Sequence, residues 1–260
     1  MADVRGVRTE RLKEVLERIN RGENPEKVRK EAKDLIENID AVELSLAEQK
    51  LIEEGTRPEE LRGLCTIHME MLKGELEKLK AKVSPGHVLH TLISEHDEIL
   101  KFLDMLEDLN FRIQKMERFD AESPDFPKLA HVAKHLVEAE LHHRREEDVL
   151  FPELEKRGIT GPPRIMRMEH YELRGKKKRL LELANAVSTM NFEEFKKELD
   201  EVAKFIIFNL RDHIFKENYI LYPTALESLK DEALWENMRK TCDEIGYCCF
   251  TPAQARQPEL

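Results

Sequence analysis

Apolar residues recur every three or four positions along most of the chain, the spacing that lines one face of an α-helix. The clearest run lies between about 86 and 229, where four long stripes follow one another. The first carries Leu92, Ile93, His96, Ile99, Leu100 and Leu103, and the second Val132, His135, Ala139, His142, Glu146, Val149 and Leu150. The third carries Met166, His170, Leu173, Leu180 and Leu181, and the fourth Ile206, Leu210, His213, Glu217, Ile220 and Leu221. Ahead of this block, shorter patterns predict helices near 9–20, 25–38, 40–54 and 58–82. Asn24 and Pro25 mark one start, and Gly55 and Pro58 close one helix and open the next. Behind the block, a helix near 231–245 is expected to end at Gly246, with YCCFTPAQARQPEL as an irregular tail. Breaks at Lys82–His87 and Ser228–Ala233 divide the chain into an N-terminal helical domain, 1–84, a bundle, 86–229, and a C-terminal helix and tail, 230–260. The expected fold is all-α: a four-helix, up-down-up-down bundle with an additional N-terminal helical domain.

Each long stripe is interrupted by histidine, and the interruptions repeat. HHRREEDVLFP, from His142 to Pro152, returns as HIFKENYILYP, from His213 to Pro223. The proline stands at the same distance from the glutamate in both copies, which matches His142 with His213 and leaves His143 and Glu147 as a spare, offset pair. EHDEIL from Glu95 is answered by EHYELR from Glu169. The block therefore reads as two copies of a helical hairpin, each giving one lone histidine and one His-x-x-x-Glu.

A carboxylate inside an apolar bundle costs several kcal/mol unless it is paired or bound to metal. On a helix, positions four apart lie about 40° apart around the axis and about 6 Å along it. His142 with Glu146, and His213 with Glu217, can thus converge on one site, with His96 and His170 completing it. Four imidazoles and two carboxylates are too many donors for one structural zinc, which takes four ligands. They suit two metals, each with two terminal histidines and with the glutamates between them. Nitrogen and oxygen donors favour iron, and manganese or zinc fit the same cage.

Other polar residues near the motifs have more than one reading. His135 lies too far along the axis from His142 to share an ion, which suits a packed or supporting histidine. Glu138 and Glu169 either line an access path and orient ligands or are flanking surface carboxylates. His87, His90, His131 and His143 read as surface or capping residues, with His90 a fallback ligand. Cys65 and His68 read as a half-buried structural pair, and Tyr171 and Tyr222 as core packing.

Composition narrows the function. With 40% hydrophobic, 37% charged and 6% aromatic residues, the chain suits amphipathic helices better than sheet. A net charge of −10 argues against a nucleic-acid partner, and the basic run RGKKKR, Arg174 to Arg179, reads as a solvated helix face. No apolar run reaches membrane-spanning length, and the start, MADVRGVRTERLKEV, lacks a signal-peptide core, so a cytoplasmic protein is expected. Four cysteines, Cys65, Cys242, Cys248 and Cys249, make no disulfide framework, which fits a reducing compartment.

Through SEHDEIL, HHRREEDVLFP, RMEHYELR and HIFKENYILYP, the block resembles the hemerythrin-like, or HHE cation-binding, domains. That resemblance implies a non-haem di-iron centre. The oxygen carriers of the family use a fifth histidine one helical turn from another, whereas here Met166 and Arg174 flank His170 at that distance. The four-His, two-Glu set is closer to related iron-centre repair proteins, which respond to nitric oxide and oxidative stress. Those carry a vicinal cysteine pair in a short N-terminal domain; here the vicinal pair, Cys248 and Cys249, lies in the C-terminal segment. The N-terminal part, with AEQKLIEEGTRPEELRGLCTIHMEML and SPGHVLHTL, resembles a helical domain of unknown function that often precedes such bundles.

The leading expectation is a di-iron protein that binds, senses or handles oxygen, nitric oxide or peroxide. The alternatives are a nitric oxide or peroxide reductase or an iron-centre repair protein, with electrons passing through the C-terminal cysteines. A third is a helical interaction module stapled by metal, docking a protein partner through its N-terminal domain.

Overall fold

The computed structural model describes residues 75–256 and scattered positions between 11 and 31. Among the described residues all regular structure is helical. Of the expected N-terminal helices, Arg11, Glu14, Val15, Glu17 and Arg18 are helical in the first, and Lys27, Val28 and Glu31 in the second. The helix near 40–54, most of 58–82, the Asn24–Pro25 start, Gly55, Pro58, Cys65 and His68 lie outside the described residues.

Helix α1 spans Glu75–Lys82, and α2 follows as Val88–Gln114. His87 caps α2, its ring Nδ1 accepting from the Leu89 N–H at 3.1 Å. This is the capping role the sequence suggests. Next come α3, Asp125–Glu138, and α4, Glu140–Arg145, separated by Ala139, where the helix tightens: the His142 N–H donates to the Ala139 carbonyl, three residues back, at 3.0 Å. A π-helical turn, Glu146–Leu150, leads into α5, Phe151–Glu155. Helix α6 is Gly161–Ala186 and α7 is Phe192–Lys216, the latter capped by Asn191, which accepts from Glu193 and Glu194. A second π-helical turn, Glu217–Leu221, leads into α8, Tyr222–Ser228. Then follow α9, Glu232–Ile245, and α10, Ala253–Arg256. Gly246 closes α9 with φ of 94°, a conformation that favours glycine, and its N–H bonds the Cys242 carbonyl.

The two π-helical turns explain the prolines of the repeat. Pro152 and Pro223 fall in the first turn of α5 and α8. A proline inside an α-helix removes one N–H and crowds the carbonyl four residues back. A turn widened by one residue relieves that conflict, and in both copies it begins at the motif glutamate.

The chain divides into two compact units. In one, α1 packs on α8 and its preceding turn, with Leu79, Leu154, Leu221, Tyr222 and Ala225 buried. The other contains Ser84–Val149, Arg167–Ile214 and Trp235–Leu260, and holds most of the four-helix bundle. Its core runs through Ile99–Ile113 of α2, Phe126–Ala139, Leu173–Ala184 of α6 with Val187 just beyond it, and Phe195–Ile214. Each fully buried Leu, Ile or Phe contributes about 1.5–3 kcal/mol. The Arg211 contacts with Asp104 and Glu107, exposed salt bridges between α7 and α2, contribute at most about 1 kcal/mol each. Packing therefore holds these helices, and the motif histidines lie at one end of the apolar core.

No described helix is long and apolar enough to cross a membrane. The basic run lies largely on the expected solvated face, with Lys176, Lys178 and Arg179 exposed; Lys177 is the exception and is buried.

Candidate metal centre

His96, His142, Glu146, His170, His213 and Glu217 are each at most 1% exposed. Helix α2 brings His96 to His142 of α4, their Nε2 atoms 3.1 Å apart. Helix α6 brings His170 to His213 of α7, with Nε2 atoms 2.9 Å apart. Glu146 stands between these pairs: its Oε2 is 3.5 Å from His142 Nε2 and 3.5 Å from His170 Nε2. Glu217 lies four residues beyond His213 at the start of the second π-helical turn.

The other ring nitrogens determine which protons the pairs carry. His142 Nδ1 lies 2.7 Å from Glu95, His170 Nδ1 2.7 Å from Glu147, and His213 Nδ1 2.8 Å from Glu169. Burial pushes the Glu95 carboxyl up, but His142, Arg145 and Thr251 outweigh it and hold the group at about 2. Burial likewise raises Glu147, and His170 with Arg174 more than offsets it. Ionised carboxylates only accept, so Nδ1 of His142 and of His170 carries the hydrogen and Nε2 is left with its lone pair. His170 Nε2 then presents its lone pair to His213 Nε2 at 2.9 Å, a contact that needs a hydrogen or a cation between the two nitrogens. A proton can relieve one such pair; metal ions suit both pairs and the carboxylate between them.

The spacing also fits metal ligation. Two nitrogens about 2.1 Å from one ion are about 3.0 Å apart at an octahedral right angle and about 3.4 Å apart at a tetrahedral one. The observed 2.9 and 3.1 Å match the octahedral edge.

Around the cluster the structure corrects several expectations. His143 is not a surface residue: it is 2% exposed and stacks on His170, with centroids 3.9 Å apart and planes 7° from parallel. Burial holds its imidazole far below the usual range, in the neutral form. Its spare partner Glu147 fixes His170. Glu169 is buried and orients His213, one of the two roles the sequence left open.

Glu138 takes the second of its two expected roles, a carboxylate on the flank of the bundle. It contacts Lys134, His135 and Cys249. His135 packs on Phe102 beside it. His96, not His90, is the α2 histidine beside His142. Tyr222 is buried as expected, whereas Tyr171 is 77% exposed, since the position after His170 turns outward.

Glu95, Arg145 and Thr251 were not apparent as site residues in the sequence. Arg145, 1% exposed, forms two bonds of 2.6 Å to Glu95, and Thr251 donates its hydroxyl to the same carboxylate. The segment after Gly246 is thus packed rather than trailing. Cys248 is buried there, Tyr247 covers the Arg145 guanidinium at 4.8 Å, and the Ala255 carbonyl accepts from Thr91 at 2.6 Å. Glu95 had a local signal, because it precedes His96 as Glu169 precedes His170. Thr251 had none.

Comparison with known proteins agrees with this geometry. Residues 87–225 match the hemerythrin HHE cation binding domain, and residues 12–78 match a family of unknown function, DUF438. The chain is 29% identical over 182 residues to the iron-sulfur cluster repair protein YtfE of Escherichia coli O139:H28 (strain E24377A / ETEC), covering 62% of this chain and 78% of that protein. The same figures hold for YtfE of Escherichia coli (strain K12 / DH10B) and of Shigella boydii serotype 18. With over half its length matched and a buried His/Glu cluster at the matching motifs, this chain belongs to the hemerythrin HHE cation-binding family.

Proposed function

We propose that the chain holds two non-haem iron ions and uses them to bind and handle a small ligand such as oxygen, nitric oxide or peroxide. The observation that carries this reading is Glu146 Oε2, equidistant at 3.5 Å from a nitrogen of each imidazole pair. It supports one ion on His96 and His142, a second on His170 and His213, and Glu146 shared between them. Glu217 is assigned as the second shared carboxylate from the repeat, since it follows His213 as Glu146 follows His142.

When bound, iron would supply a redox couple and coordination positions open to a small ligand. The chain's own residues do the rest. Glu95, Glu147 and Glu169 hold the Nδ1 hydrogens, which fixes each ring's orientation and strengthens its Nε2 as a donor. His143 backs His170 without bringing a charge into the cluster. The apolar core beside the cluster limits water on that side. Manganese fits the same donors, whereas the octahedral spacing favours neither manganese nor iron but disfavours tetrahedral zinc.

A second reading, iron donation to damaged iron-sulfur centres, is favoured by the similarity to proteins named for that task. The two readings differ in whether iron stays.

The test is metal content per chain on untagged protein purified without added metal, with a visible spectrum taken in air. Two irons and an oxo-bridged ferric absorption, both lost in Glu146→Ala/Glu217→Ala, are expected. Absence of iron even after anaerobic reconstitution, with helical content intact, would overturn the di-iron reading. Iron retained through exposure to nitric oxide favours ligand handling; iron passed to an apo iron-sulfur acceptor favours repair.

A further inference from the structure

A second group of potential ligands lies on the flank of α3, seven residues before His142. His135 and Glu138 project from one turn of that helix, and the segment after Gly246 lays Cys249 against both. Cys249 Sγ is 3.0 Å from Glu138 Oε2 and 3.1 Å from His135 Nδ1, and those two atoms are 3.2 Å apart. A sulfur, a nitrogen and an oxygen thus close a triangle from segments 111 residues or more apart in sequence. The imidazole is held in place: it stacks on Phe102 at 4.9 Å, 18° from parallel, and Phe250 meets it edge-on at 6.1 Å.

We propose that His135, Glu138 and Cys249 form a site for one divalent transition-metal ion of zinc-like softness, distinct from the cluster inside the bundle. Tetrahedral ligation with a metal–sulfur bond of about 2.3 Å and metal–nitrogen and metal–oxygen bonds of about 2.1 Å sets the donors about 3.4–3.6 Å apart. The observed triangle is smaller by about 0.2 Å on its nitrogen–oxygen edge and about 0.5–0.6 Å on its two sulfur edges, and its partly exposed side chains can open by that amount. Thiolate selects zinc, cobalt or ferrous iron over calcium and magnesium, which prefer all-oxygen ligands. Three protein donors leave the fourth position to water or another ligand.

The protonation states suit this assignment. Burial keeps His135 below the usual imidazole range, so its ring is neutral at pH 7 and binds without losing a proton. The hydrogen bond from Cys249 holds the Glu138 carboxyl low, and it is ionised. Burial and Glu138 push the Cys249 thiol up, so the ion takes the place of the thiol proton in the Cys249–Glu138 contact. One proton leaves per ion bound, and affinity rises with pH. The site is about 10 Å along the helix from His142, too far for the two to share an ion.

The test is a cobalt(II) titration of the full-length, reduced protein after its iron has been loaded. The expected result is one equivalent of cobalt giving thiolate-to-metal charge transfer in the near ultraviolet. Zinc should bleach the band, and it should be absent from Cys249→Ser and from His135→Ala, with iron content and helical circular dichroism unchanged in both. The proposed bundle ligands contain no sulfur, so this band reports on the cysteine site whether or not the di-iron reading holds. Failure of wild-type protein to develop the band, or its survival in Cys249→Ser, would overturn the proposal and leave a hydrogen-bonded surface thiol.

Discussion

In the first half of the repeat, His142 is followed by His143, Arg145 and Glu147; in the second half, His213 is followed by Ile214, Lys216 and Asn218. The donors proposed to hold metal are the same in both halves, and so is the glutamate before each lone histidine. The supports differ. Arg145 anchors Glu95 in the first half, and Thr251 reaches the same carboxylate from the C-terminal segment. His143 and Glu147, also from the first half, turn toward His170 in the second. The first half thus supplies two of the contacts on His170. An internal repeat can reproduce ligands while leaving their surroundings free to diverge.

The strongest test of that asymmetry is Glu95→Ala. It leaves the Arg145 guanidinium buried without its carboxylate, which costs about 3–5 kcal/mol. Guanidinium unfolding of the metal-free protein should show it, and a loss below about 1 kcal/mol, as for an ordinary surface change, would remove Arg145–Glu95 as an anchor. Glu147→Gln should act on the other half instead. Weakening the partner of His170 should lower metal affinity there by about 10–100-fold, with iron per chain falling from two toward one. Equal loss of both ions would mean that the halves are not independently supported.

Thr251→Val keeps the shape and removes the hydroxyl that bonds Glu95. A hydrogen bond to a charged group contributes about 1.5–3 kcal/mol, so the melting temperature should drop while iron content stays constant. The smallest effect concerns thiols. Burial pushes Cys248 and Cys242 up to about 12, so at pH 8 both are protonated as well as shielded. Alkylation of the native protein followed by mass spectrometry should label exposed Cys249 ahead of these two; early labelling of Cys248 would mean that the segment is not docked on the first half.

The four long helices are legible because their stripes are long and regular, and the cluster because each interruption places a polar side chain where burial is costly. Helix ends such as His87 and Gly246 are legible because capping and left-handed conformations restrict residue choice. His143 is harder to read. Adjacent helical positions point about 100° apart, and in a bundle both directions can face another helix, so a residue beside a ligand can be as buried as the ligand. Tyr171 shows the opposite outcome, with the same local context on a helix whose next face meets water. Glu138 stays open in the sequence because spacing alone places it one turn before His142 without fixing whether its side chain faces the cluster or the flank. Thr251 and Cys248 are invisible to any local pattern, since their partners lie far away in sequence.

The bond between Thr251 and Glu95 spans 156 residues. During synthesis at roughly 5–20 residues per second, Glu95 leaves the ribosome about 8–30 seconds before Thr251. His96, His142, His170 and His213 all emerge within that interval, as does the Arg145 that pairs with Glu95. The nascent chain therefore passes through a stage in which the histidines are present but the contact from the last segment is not. Any metal taken up by the histidines during that interval would bind before the Thr251–Glu95 contact exists.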